Sequence, residues 1–538
     1  MKGGLFLMWR PTISGCVFGA SLVMACVGIA AHAQEAPDQT ASADTPLSAI
    51  DWLSQSVATH PVATRPSRPL PDEDPITQSA ASPEITVTPL DAPSPDHLGL
   101  LPPSATGLPV TLWSGSETDV LIDLIRAEDV SALPALRDFL VTLLLAEAQP
   151  PRNASVTGDL FLARIDKLLD LGAVEPALEL LEASQPSTPD LFRRYFDVAL
   201  LTGVEDRACN QMRENPGFAP TLPARVFCLA RNGDWNAAAL TLNTARALGD
   251  VSDVEDALLS RFLDPDLFEG EPPLPVPDRI SPLVFRMREA IGEGLPTSNL
   301  PRAFAHADLR SNVGWKAQLD AAERLARHGA VQDSVLLDLY TARRPAASGP
   351  VWDRAEAIQQ FETALTAGDP GAVAETLPDA WNAMQQAQSE IAFARLFSDK
   401  LARLPLQGDA AHLAFGIGLL GPNYEEIALD FDTDDTDAAD AFLIAVARGD
   451  MTGIVPRTPK QRAIAAAFTE ARPASALLDQ AEDDRLGEAL LRTIAQLNLA
   501  AAGDMVAVTE SLAYLRLVGL EDLARRVSLQ MLVLDRSE

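Results

Sequence analysis

"LLDLGAVEPALELL" (Leu168–Leu181), "ALLTGVEDRACNQM" (Ala199–Met212) and "LARNGDWNAAALTL" (Leu229–Leu242) share one arrangement. An apolar stretch with helical spacing runs into a Gly, and an Ala follows five positions later: Gly172 with Ala177, Gly203 with Ala208, Gly233 with Ala238. The glycines are 31 and 30 residues apart, a period that belongs to stacked two-helix units. Glycine reaches the left-handed backbone that ends a helix and reverses the chain. A small residue one turn into the next helix lets the two arms approach closely.

This pattern resembles the tetratricopeptide superfamily, whose helical hairpins set a turn glycine and a small alanine at the same spacing. The resemblance is best between Gly158 and about Gly249; Gly329 with Ser334 and Gly519 with Ala524 echo it. "LTAGDPGAVAETL" and "LAAAGDMVAVTESL" are degenerate forms, and the family's first-helix aromatic pattern is absent. The resemblance implies an all-α fold, an irregular tetratricopeptide-like α-solenoid of stacked hairpins whose concave face holds an extended peptide or a partner helix.

Outward from the repeats, the chain divides by texture. Lys2 and Arg10 precede an uncharged run from Pro11 to Ala31, and Ala31-His32-Ala33 has the small-x-small pattern of a signal-peptidase site. We expect a signal peptide over 1–33 and export by the general secretory route, the alternative being an uncleaved anchor, since the run is just long enough to span a bilayer. Lipidation at Cys26 is disfavoured by the preceding Val23-Met24-Ala25. Residues 34–110 are dense in Pro, Ser, Thr, Asp and Ala and are expected to be a disordered tether. One exception is "SAIDWLSQSV" (Ser48–Val57), which on a helix aligns Ile50, Leu53 and Val57, with Trp52 beside them. Ten residues do not hold a helix alone, so this motif is expected to order only on docking, in cis or on a partner.

From Ser116 the apolar spacing is helical throughout, and Ser116 to Asp119 reads as a capping pattern. Breaks at "FEGEPPLPVPDRISP" (Phe268–Pro282) and "ALDFDTDDTDAAD" (Ala428–Asp440) suggest three helical segments: 111–270, 271–428 and 429–538. Trp235, Trp315 and Trp381 read as core or groove-lining anchors. His328, beside Gly329, reads as a cap at a helix C-terminus.

The formal charge of −33, from 42 Lys and Arg against 75 Asp and Glu, speaks against nucleic acid and anionic lipid as partners. Five lysines against 37 arginines, with abundant Ala, point to a GC-rich Gram-negative genome of alphaproteobacterial type and, with the leader, to the periplasm. Beyond the leader only Cys209 and Cys228 remain, an even pair that in an oxidising compartment is a disulfide candidate linking neighbouring repeats.

Catalytic signatures are missing. Asp430, Asp432 and Asp434 begin like a calcium loop, but Asp435 stands where Gly is needed and Ala441 where the bidentate Glu belongs. No nucleophile elbow, paired-His zinc helix or phosphate loop occurs. Glu510-Ser511 matches the Glu-Ser dipeptide of lytic transglycosylases without the segment that follows it there. No cofactor, metal or catalytic residue is therefore expected. The function expected is a non-enzymatic periplasmic scaffold or adaptor for a protein or peptide partner, with membrane contact only through an uncleaved leader. The alternative is an envelope enzyme acting on peptidoglycan or another glycan through paired carboxylates.

Overall fold

In a computed structural model, Gly172, Gly203 and Gly233 have φ of +82°, +80° and +85°, the left-handed backbone that reverses a helical chain. Each lies between the arms of a hairpin: Asp159–Leu171 with Val174–Ala183, Pro189–Thr202 with Glu205–Glu214, and Leu222–Arg231 with Trp235–Leu248. Ala177, Ala208 and Ala238, one turn into the second arms, are fully buried. The second helix of each hairpin packs on the first helix of the next. Cys209 and Cys228 occupy two such facing helices, and their sulfurs are bonded, with the Cα atoms 4.9 Å apart.

The structure describes residues 94–538 except 130–132, 187, 432–437, 470–471, 483, 501–502 and 535–538, and the described residues fall in one compact unit. They form 24 α-helices and no strand, only an isolated parallel bridge between Leu101 and Ala146. The fold is all-α and solenoid-like, built of helices packed mainly on their chain neighbours. Among the described residues no helix is long and apolar enough to cross a membrane.

Two features depart from the sequence reading, and a third lies outside it. The body begins before residue 110, because the stretch from Ser94 is fastened to the first hairpin. The carboxylate of fully buried Asp96 accepts from the Phe161 amide (2.7 Å), serving a helix start whose own cap, Gly158, has no side chain. Arg164, also fully buried, donates to the carbonyls of Leu98 (2.8 Å), Leu144 (2.7 Å) and Ala146 (3.0 Å). Polar composition hid this anchorage.

The Ser116–Asp119 cap does not form. Thr118–Ala127 is the helix there, and its first amide donates instead to Oδ1 of Asn153 (2.8 Å), 35 positions away. Ser116 is buried.

The first helices also meet helices from near the other end of the described residues. Thr118–Ala127 and Pro134–Leu145 pack against the first hairpin and also against Leu486–Ala500 and Glu521–Val533, the last helices. The Gly487 amide donates to the Leu112 carbonyl (3.0 Å), and a Cβ at Gly487 would stand 2.5 Å from that oxygen and from the Trp113 ring. Only glycine permits this approach. Apolar packing follows the same closure: one core joins residues around 108–307 to those around 415–531, and a second is built mainly from 315–401. The prolines of 268–282 are spanned by polar contacts, with Arg288 donating to the carbonyls of Leu274 and Pro275 and Arg261 pairing with Glu271 and Glu293.

Candidate functional site

The second core carries a cavity of about 640 Å³ at its surface. The helix Trp315–Ala326 supplies one wall and the start of Pro350–Ala367 the other, with residues 342–349 looping between Asp333–Thr341 and that start. Pro350 fits the first turn of its helix, where no amide is needed, and Gly349 before it holds φ +130°. Trp352 thereby faces Trp315, the rings 4.9 Å apart and inclined by 49°. Trp315 is buried and fixed by its Nε1, which donates to the Leu339 carbonyl (2.8 Å); Trp352 is half-buried.

A buried polar brace holds this wall. The Tyr340 hydroxyl donates to Glu323 Oε1 (2.7 Å), and Arg354 donates to both oxygens of the same carboxylate. Burial, reinforced by the Glu323 charge, pushes the Tyr340 phenol up, so it stays a donor. Gln359 Nε2 donates to the carbonyls of Tyr340 (2.6 Å) and Arg343 (2.7 Å), which ties down the start of the loop.

The rim is cationic. Lys316 pairs with Asp320 (2.6 Å), while the exposed Arg343 and Arg344 have no carboxylate within ion-pair reach among the described residues. Both residues line the cavity, so two guanidinium groups stand at its mouth in a chain of net charge −33. Indole rings and guanidinium groups lining one cavity offer ring contact and charge-assisted hydrogen bonding, the chemistry that suits an apolar or aromatic side chain next to a carboxylate.

A second cavity, about 400 Å³, lies between the helices Glu390–Leu401, Asp409–Gly418 and Tyr424–Asp430. Phe415 and Phe431 stack at 3.9 Å in its wall, and Asp399, Glu426 and Asp430 make its rim acidic. Asp432 and Asp434 of the calcium-like run lie outside the described residues. Among the described residues no three potential metal ligands cluster.

The residues singled out from sequence scatter. Ala177, Ala208, Ala238 and the Cys209–Cys228 pair lie in the first core and not in the second, which carries the tryptophan cavity; of the turn glycines Gly172 is buried, while Gly203 and Gly233 are exposed. Their turn edge is partly covered: His306 Nε2 contacts the Gly172 carbonyl (2.8 Å), and the Arg302 side chain and Ala330 press on Gly172 itself. Of the three flagged tryptophans, Trp381 sits in the second core against Phe393 (5.8 Å), Trp235 is half exposed on the third hairpin, and Trp315 lines the cavity. Ile50, Trp52, Leu53 and Val57 lie outside the described residues. Trp352, Arg343 and Arg344 were missed, although "TARRPAASGP" is an adjacent basic pair in an acidic chain.

The other perturbed groups line neither cavity. Burial raises Glu128 to about 8 and Asp197 to about 7. His328 is no protonated cap: burial first, then Arg302, Arg137, Arg327 and Arg324, lower it to about 3. Those arginines serve helix ends instead, Arg137 donating to the Arg327 carbonyl (2.9 Å) and Arg302 to that of Asp170 (3.0 Å). Ser511 of the Glu-Ser dipeptide is fully buried against Gln496. Compared with protein-family models, with curated proteins and with solved structures, the chain matches none.

Proposed function

We propose that this protein is a non-enzymatic, tetratricopeptide-like scaffold of the periplasm, and that its Trp315–Trp352 cavity anchors an apolar side chain from an acidic segment of an envelope partner. The observation that carries this reading is the pairing of an indole-walled cavity with Arg343 and Arg344, two cations without an acid of their own among the described residues. Supporting it are the stacked hairpins, an architecture that binds extended partners along its surfaces. The periplasmic placement rests on the leader pattern around Lys2, Arg10 and Ala31-His32-Ala33, and the Cys209–Cys228 bond suits an oxidising compartment.

An array of acidic dodecamers, each with one Trp, Leu or Ile beside an Asp or Glu, tests the site. The full chain is expected to hold a subset, and an Arg343→Glu/Arg344→Glu double variant to lose that subset while melting at the same temperature. Retention of the same peptides by the double variant overturns the assignment, as does a chain that holds none. Osmotic-shock release of a chain beginning at Gln34 checks the compartment.

A further inference from the structure

Between Gln34 and Pro93 the chain has a single Phe, Trp or Tyr, Trp52, set in the apolar Ile50, Leu53 and Val57. From Gln34 to Thr64 it has Glu35, Asp38, Asp44 and Asp51 and no Lys or Arg. An acidic segment with a tryptophan anchor is the chemistry that the cavity of Trp315, Trp352, Arg343 and Arg344 accepts.

We propose that the occupant of this cavity is the chain's own Ser48–Val57 segment, which covers the site until a partner of the same pattern displaces it. The proposal rests on the cavity being the binding site. Three arguments carry it. Charge is complementary at the contact point, with Asp51 flanked by Ile50 and Trp52 and the guanidinium pair flanking the indole walls. Size fits: about 640 Å³ lies within the roughly 300–1,000 Å³ of sites that enclose a ligand of a few side chains' bulk. The tether is long, since the 37 positions from Val57 to Ser94 extend to about 125 Å. Attachment to the same chain supplies an effective concentration on the order of millimolar, so a weak motif is enough to fill the site.

The device has a clear consequence for binding. A partner must outcompete a tethered segment, so removing the anchor side chains raises the apparent affinity for an added peptide by the fraction of sites set free.

Two experiments on the full chain test this. A photoreactive benzoylphenylalanine placed at Trp52 is expected to crosslink to peptides containing residues 314–320 or 343–352, and Arg343→Glu/Arg344→Glu to abolish the product. In a mixture of isotopically heavy and light chains the product should join residues of one copy. Crosslinks elsewhere, or between heavy and light copies, overturn the proposal.

A fluorescein-labelled Ser48–Val57 peptide should bind a Trp52→Ala/Leu53→Ala chain at least tenfold more tightly than the unaltered chain, and show no saturable binding to Arg343→Glu/Arg344→Glu. Equal affinity for all three chains overturns it. If this peptide fails while array peptides bind and depend on Arg343 and Arg344, self-occupancy falls and the site stands. If neither binds, both fall.

Discussion

The backbone amide of Ala135 donates a 2.8 Å hydrogen bond to the side-chain oxygen of Gln530, a buried contact across 395 positions. Ala135 is in the first turn of Pro134–Leu145, where amides have no partner within the helix, and its own cap, Leu133, offers no side-chain acceptor. The acceptor comes from the last described helix, Glu521–Val533. That helix also takes the Tyr424 hydroxyl on Asp522 (2.9 Å) and sends Arg526 to the Gly421 and Pro422 carbonyls. The end of the solenoid therefore secures its beginning and its middle.

Gln530→Ala is expected to cost about 1–3 kcal/mol, because the Ala135 amide is left buried without an acceptor. Urea unfolding measures the loss, and hydrogen exchange should locate it in the first turn of Pro134–Leu145. A change below a few tenths of a kcal/mol would show that this closure contributes nothing.

The three turn glycines should not be equivalent. Alanine in the left-handed region costs roughly 1–2 kcal/mol wherever it sits. At Gly233 nothing lies within 4 Å of an added Cβ, whereas at Gly172 it would stand 2.9 Å from the Arg302 side chain. Gly172→Ala should lower the melting temperature more than Gly233→Ala, and equal shifts would contradict the cover over the first turn.

Reducing the Cys209–Cys228 bond opens a loop of about 20 residues, for which chain entropy gives roughly 3 kcal/mol. Cys209→Ser/Cys228→Ser should reproduce the loss and abolish its dependence on reductant. Thermal melts with and without dithiothreitol decide this.

Glu128 is 5% exposed, its carboxylate oxygens have no hydrogen-bond partner among the described residues, and burial raises it from 4.5 to about 8. The folded chain thus holds this proton more tightly than the unfolded one. Its contribution is complete below about pH 4.5 and is lost as the pH rises through 8. Melting temperatures between pH 5 and 9 should fall less steeply for Glu128→Gln than for the unaltered chain, by an effect on the order of a few kcal/mol at the alkaline end. Parallel profiles would refute the assignment.

How far the sequence reached depends on the range of the interaction involved. The hairpins of Gly172, Gly203 and Gly233 were legible because a left-handed glycine and a small alanine act within one turn of chain, and a 30-residue period repeats that local instruction. The neighbourhood of Cys209 and Cys228 followed from the same stacking. Trp315 was visible as an anchor, but its partner Trp352 was not, nor were Arg343 and Arg344, which have no acid in ion-pair reach among the described residues, since nothing local shows which cations find one. The cap on Thr118 from Asn153, the service of Asp96 and Arg164 to the first hairpin, and the Ala135–Gln530 bond left no signature at all. Each satisfies a buried polar group with a residue brought near only by packing, and burial makes that requirement strict while leaving the choice of partner to the assembled fold.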